Sequence, residues 1–258
     1  MRWVVNGAGA RSPTTSPPRW CARLRWCAGR RTGWCARRRV RDLARHDLLT
    51  VAPAAWGPLL AQRPDLDGIP HLADWAARGW PVIVRRRVPG EDGALVPAGL
   101  PLPPSLGKRR IGFALPPAAV RPRSGLTLAE ARAAAPATWQ PTLDALLAHG
   151  AVHGRVPRVF GSLLWQALTG LPYLSASSDL DLLWPGPVGP AFLAGLADLA
   201  AQAPMGLDGE IGLADGFAVN WRELQAAGPG DTILAKGLGR LELRPVSALR
   251  GAVLTPAA

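Results

Sequence analysis

Residues 1–41 contain no acidic residue but eleven arginines, and the remaining chain holds 19 basic against 18 acidic residues. The formal charge of +12 therefore belongs almost entirely to the first forty residues, and the body is close to neutral. That near-neutrality argues against a phosphate-backbone grip on nucleic acid, which needs a basic face on the folded body. All three cysteines, Cys21, Cys27 and Cys35, also lie in this first stretch, without the close pairing of a zinc site. Their odd number argues against a disulfide framework. No apolar run approaches the ~20 residues of a membrane span. No uninterrupted apolar core follows the early charges, which argues against a secretory signal. The glycines of GAGARS, Gly7 and Gly9, open like a dinucleotide fingerprint, but Ser12 stands where the last glycine should be, and Pro13, Pro17 and Pro18 prevent the helix that must follow. We read residues 1–40 as a disordered Arg/Trp/Cys-rich extension whose removal up to residue 38 leaves folding and activity intact.

The body has the length to bury a core in one large or two small domains. The expected organisation is α+β. A smaller α/β domain spans 41–135, and 136–258 forms a mixed sheet with helices on one face. In the first part, PAAWGPLLAQR (53–63) reads as a short helix with Pro53 in its first turn. IPHLADWAARG (69–79) reads as an amphipathic helix burying Leu72, Trp75 and Ala76. WPVIVRRRV (80–88) is a strand with an arginine-rich exit. LVPAGLPLPPSLGKRRIGFALPP (95–117) is proline-interrupted, with one clear strand from Arg110 to Leu115. His46 and Asp47 are either an acid–base pair or a structural pair at a helix start. In the second part, PAFLAGLADLAAQA (190–203) is a helix, while 207–224 and 233–246 each read as a hairpin.

The chemistry concentrates in Val156–Trp184, VPRVFGSLLWQALTGLPYLSASSDLDLLW. It reads as a strand, a Gly161-Ser162 turn, a short helix, a serine-rich approach and a second strand carrying Asp179 and Asp181. Side chains alternate along a strand, so the two carboxylates share a face while Leu180 and Leu182 point into a core. Two adjacent anions repel unless a cation sits between them. Asp208 and Glu210 share one face of a further strand and could meet the first pair at one rim of the sheet. Three carboxylates there, Asp179, Asp181 and Glu210, with Asp208 the alternative third, suit Mg²⁺ (or Mn²⁺), a hard cation that takes oxygen ligands. Such sites stabilise the attacking and leaving oxygens of phosphoryl transfer. The Gly161-Ser162 turn, at a helix start, offers backbone N–H groups to phosphates. The run Gly107 to Arg110 is either an anion site or a solvated loop.

FGS followed by SDLDLL resembles the nucleotidyltransferase superfamily. The wider set RHDLL (45–49), GKRRI (107–111), VFGSLLWQALTGLPYL (159–174), SSDLDLL (177–183), LDGEI (207–211) and AVNWREL (218–224) resembles the phosphoribosyl-dephospho-CoA transferases of malonate decarboxylase, its holo-acyl-carrier-protein synthases. The likeness covers about residues 41–244. It implies a nucleotidyltransferase-like fold in a cytoplasmic enzyme. It also implies transfer of the 2′-(5″-triphosphoribosyl)-3′-dephospho-CoA group to a serine of the acyl carrier protein subunit, with loss of pyrophosphate. By that resemblance Asp179 and Asp181 bind the metal, and Gly161 and Ser162 bind the triphosphate. Lys108, Arg109, Arg222 and Lys236 become candidates for phosphate contacts, while Asn220 either contacts the nucleotide or only builds its hairpin. TGLPYL lengthens the gap from Ser162 to Asp179 relative to simpler members of the superfamily. Two other readings stand beside this one: transfer to a small-molecule or RNA acceptor, and a carrier-binding module without turnover.

Overall fold

The computed structural model describes residues 42–249; the first forty residues, expected as a disordered extension, lie outside the described residues. The protein is α+β and contains two sheets. The first is antiparallel throughout and is built from β1 (Leu48–Val51), β2 (Val82–Val84), β3 (Val96–Pro101), β4 (Arg110–Leu115) and β5 (Val120–Arg123), in the order β4-β3-β2-β1-β5. Helix α1 (Pro53–Leu60) follows β1, with Pro53 in its first turn as expected.

Two parts of this sheet depart from the sequence reading. The proline-interrupted segment before Arg110 contains a full strand, β3, despite Pro97 and Pro101. Its neighbour β2 is short and pairs only Ile83 with Gly99 and Val84 with Ala98, so neither proline faces a partner that needs its missing N–H. Residues 69–79 bury Leu72, Trp75 and Ala76 as the apolar pattern demands, but as successive turns instead of a helix. His71 adopts a left-handed backbone (φ 66°), which no α-helix accommodates. The indole of Trp75 instead donates to the Pro81 carbonyl at 2.9 Å.

The short α2 (Leu128–Ala131), closed by a Thr127–Glu130 capping box, and α3 (Gln140–Val152) lead into the second sheet. That sheet is ordered β11-β10-β9-β8-β7-β6. Its strands are β6 (Arg158–Phe160), β7 (Leu180–Pro185), β8 (Leu207–Gly212), β9 (Ala218–Asn220), β10 (Thr232–Lys236) and β11 (Leu241–Pro245). Helix α4 (Gly161–Thr169) joins β6 to β7, α6 (Trp221–Ala226) follows β9, and α7 (Val246–Leu249) follows β11. Strands β7 and β8 run parallel, a pairing that needs a long crossover; α5 (Pro190–Gln202) supplies it and packs against α3 and α6. The expected alternation on β7 is present: Leu180, Leu182 and Trp184 are fully buried, and Asp181 faces the other way. The hairpin expected over 207–224 ends sooner than the apolar pattern suggests. Asn220 terminates β9 and its side-chain oxygen accepts from the N–H groups of Arg222 (2.8 Å) and Glu223 (3.2 Å), so WREL becomes a helix. Among the described residues no helix is long and apolar enough to cross a membrane.

Candidate active site

The two sheets enclose a cleft of about 1250 Å³ with walls from both halves of the chain. Asp181, on the cleft face of β7, is the register partner of Asp208 on parallel β8, and Asp179 lies just before β7 begins. Burial raises the Asp181 carboxyl first, and the charges of Asp208 and Asp179 raise it further against the counter-pull of Arg110, to about 7. Asp208 is oriented from two sides, since its Oδ1 accepts from its neighbour Gly209 N–H (2.7 Å) and from Asn220 Nδ2 (3.0 Å).

Glu210 shares this face of β8 but has different company. Its carboxylate receives Arg45 through both guanidinium nitrogens at 3.2 Å, and His46 Nε2 lies 3.1 Å away with Lys236 at 3.8 Å. Burial alone would raise Glu210; the His46 hydrogen bond and the Arg45 charge outweigh it and hold the group at about 2. Burial lowers the His46 imidazole, against the opposing pull of its Glu210 hydrogen bond. His46 adopts a left-handed backbone (φ 68°), rare for a residue with a side chain, and its ring lies 4.3 Å from that of Phe160. The pair Arg45–His46 thus ties the first half of the chain to β8 and to the residue that precedes Gly161.

Gly161 opens α4 with φ 65°, and a Cβ there would land inside the Asp181 carboxylate. Only glycine permits so close an approach, and it sets the start of α4 directly beside Asp181. Ser162 also lines the cleft. The TGLPYL insertion after α4 is pinned by Gln166, whose Oε1 accepts from the N–H groups of Tyr173 (3.2 Å) and Leu174 (3.0 Å). Tyr173 then donates its hydroxyl to the Pro101 carbonyl (2.9 Å), closing one end of the cleft against β3.

The structure brings Asp179, Asp181, Glu210, Gly161, Ser162, Lys108, Lys236 and Asn220 to one cleft and leaves Arg109 and Arg222 off its lining. Arg222 instead covers the Trp221 ring at 4.6 Å and donates to the Leu207 carbonyl at 2.9 Å. Arg110, Arg45, His46, Tyr173 and Asp208 line the cleft as well. Of these, Asp208 was legible as the alternative third carboxylate. Arg110 closes the Gly107 to Arg110 run read as an anion site or a solvated loop, and Arg45 and His46 belong to the RHDLL motif, but no local pattern pairs Arg45 with Glu210, 165 residues away.

Among the described residues no three His, Cys, Asp or Glu side chains form a ready-made metal-ligand group. The Asp179–Asp181–Asp208 cluster nevertheless fits a cation. Burial and, after it, the charges of Asp208 and Asp179 raise Asp181 to about 7, a strain a cation would relieve, and Mg²⁺ is commonly held by one or two carboxylates plus substrate phosphates. Glu210 fits less well, being already paired with Arg45 and, at 3.8 Å, Lys236.

Comparison with known proteins places the chain that forms this two-walled cleft in a transferase family. Residues 44–124 match the family model described as Phosphoribosyl-dephospho-CoA transferase MdcG N-terminal domain, and residues 127–247 match that of the MdcG C-terminal domain. A phosphoribosyl-dephospho-CoA transferase of Bradyrhizobium diazoefficiens is 43% identical over 210 residues, covering 79% of this chain and 90% of that protein. Phosphoribosyl-dephospho-CoA transferases of Xanthomonas campestris pv. campestris and Xanthomonas euvesicatoria pv. vesicatoria are each 41% identical, covering 70% of this chain and 85% of theirs. The chain belongs to the MdcG phosphoribosyl-dephospho-CoA transferase family. No solved structure matches it.

Proposed function

We propose that this protein transfers the 2′-(5″-triphosphoribosyl)-3′-dephospho-CoA group to a serine of the malonate decarboxylase acyl carrier protein. The observation that carries this reading is the cluster of Asp179, Asp181 and Asp208 set against the first residues of α4, in a cleft formed by the two parts that the family models match. In the reaction the serine Oγ attacks the phosphorus nearest the added ribose. A P–O bond to serine forms, the anhydride bond to the outer two phosphates breaks, pyrophosphate leaves, and the serine proton is released. Asp179 and Asp181, with Asp208 in preference to Glu210 as the third carboxylate, would hold Mg²⁺ or Mn²⁺, which would supply charge neutralisation on the phosphates. The N–H groups of Gly161 and Ser162 bind the triphosphate, assisted by Lys108 and Arg110 on the opposite wall, and such donors gain strength where water is excluded. Glu210, held by Arg45, His46 and Lys236, positions the two walls. Arg109 and Arg222 take no part.

Mass spectrometry of the apo carrier protein after incubation with the protein, Mg²⁺ and the triphosphoribosyl donor tests the proposal. Addition of one phosphoribosyl-dephospho-CoA, with stoichiometric pyrophosphate, is expected. An unmodified carrier, or equal labelling by Asp179→Asn and Asp181→Asn, overturns it.

A further inference from the structure

The cleft has two chemically different ends. Across the second sheet it runs from Asp181 on β7 through Asp208 and Asn220 to Leu234 and Lys236 on β10 and Leu241 on β11. At ~4.8 Å between strands that is roughly 19 Å. The opposite wall follows β3. Arg110 is the register partner of Pro101 at one end, and the Arg85 N–H donates to the Pro97 carbonyl (3.0 Å) at the other, roughly 14 Å apart at ~3.4 Å per residue. Two hydrogen bonds match the walls end to end. Tyr173 to Pro101 closes the acidic end, and the Arg87 N–H to the Leu238 carbonyl (2.7 Å) joins loop 85–91 to the β10–β11 turn at the far end.

The far end is apolar and cationic, with no acidic cluster. Val88 and Leu241, 37% and 46% exposed, are two of the large exposed apolar side chains of the described residues, and both line it. The loop that carries Val88 is held in place from within. Buried Arg85 pairs with Glu91, whose Oε2 also accepts the Val88 N–H (2.8 Å), and Arg87 donates to the Leu95 carbonyl (2.8 Å). With Arg85 and Arg87 engaged, Arg86 is exposed on the cleft lining and makes no ion pair among the described residues. Lys236 lines the same cleft, 31% exposed and 3.8 Å from Glu210.

We propose that this far end is a second subsite, which binds the dephospho-CoA part of the donor: its diphosphate on Arg86 and Lys236, and its pantetheine arm along Val88 and Leu241. This rests on the function proposed above and deepens it. The donor carries two separate polyanions, a triphosphate on the added ribose and the diphosphate of dephospho-CoA. One acidic, metal-binding end cannot serve both. An arginine without an ion pair, in a cleft end that also exposes apolar side chains, matches a diphosphate joined to a thiol-bearing arm of methylene, gem-dimethyl and amide groups. The far end of the cleft thereby selects the donor, and the acidic end holds the reacting phosphates.

Dephospho-CoA itself is the probe, because it lacks the triphosphoribosyl group and reports on the far end alone. Calorimetry on the full chain is expected to show binding that Arg86→Glu and Leu241→Asp each weaken about tenfold or more, with thermal melting unchanged because both side chains are exposed. Asp181→Asn is expected to lose transfer yet bind dephospho-CoA as tightly as the unaltered protein. In the transfer assay, Arg86→Glu should raise the KM for the donor about tenfold while kcat falls less than about twofold. Wild-type affinity in both far-end variants, or loss of dephospho-CoA binding in Asp181→Asn, overturns the subsite. So does a raised KM for the carrier protein with dephospho-CoA binding intact, which would make this end a carrier dock. A protein that binds dephospho-CoA in this pattern but never labels the carrier supports the subsite and sinks the function proposed above.

Discussion

Two carboxylates on the same sheet face have opposite fates because of what surrounds them. Asp181 is raised from 3.8 to about 7, so between those values the folded chain holds a proton the unfolded chain has lost. Its contribution is favourable below pH 4 and is lost as pH rises through about 7. Asp181→Asn should therefore stabilise the metal-free protein at pH 8 by at most roughly 4 kcal/mol, and hardly at all at pH 4. Urea unfolding in chelator across that range reads this directly; parallel profiles for the two proteins would contradict it. Glu210 is lowered from 4.5 to about 2, the reverse case: its stabilisation is present above pH 4.5 and is lost as pH falls towards 2. Glu210→Gln should cost up to roughly 3 kcal/mol at pH 7 and flatten the acid limb, because it strips Arg45 of its buried partner. At this scale the face of Asp181 was legible from spacing, since strand alternation is a local rule, while Asp179 lies just before β7 begins. The ion pairs that occupy Glu210 were not, because Arg45 and His46 reach it from the other half of the chain.

The turn into α4 is the element on which the site depends, and glycines separate its two requirements. Gly161 and Gly216 both have left-handed backbones, φ 65° and φ 84°, but a Cβ at Gly216 meets nothing within 4 Å while one at Gly161 enters the Asp181 carboxylate. Alanine at either position should cost about 1 kcal/mol or more in stability from backbone strain. Only Gly161→Ala should also abolish carrier labelling; comparable labelling by the two variants would detach the turn from the chemistry. Asn220 has a similar double place, capping α6 while holding Asp208. Asn220→Ala is expected to lower stability by about 1 kcal/mol in thermal melts. Among the elements, β4, β7, α5 and the β10–β11 hairpin follow from their apolar period. Strand β3 and the turns over 69–79 do not. The first depends on the shortness of its neighbour β2, and the second on a left-handed residue at His71, and neither leaves a periodic trace.

For the whole molecule, the family match begins at residue 44, so deletion of residues 1–38 is expected to leave carrier labelling and melting temperature unchanged; loss of either would assign the arginine-rich segment a role. The charge arithmetic, the Asp-x-Asp strand, the Gly-Ser turn and the resemblance they carry are local patterns. They were enough to indicate a transferase with an acidic cluster in its second half. Which carboxylates stand together and which are paired with cations depend on how the two sheets line one cleft. Arg86, Lys236 and Leu241 come to one end of a cleft, and Arg45 comes to Glu210, through contacts between residues more than a hundred positions apart. Side-chain alternation is set by neighbours along the backbone and can be read there. Charge pairing across a cleft is set by packing between distant segments, and no local pattern records it.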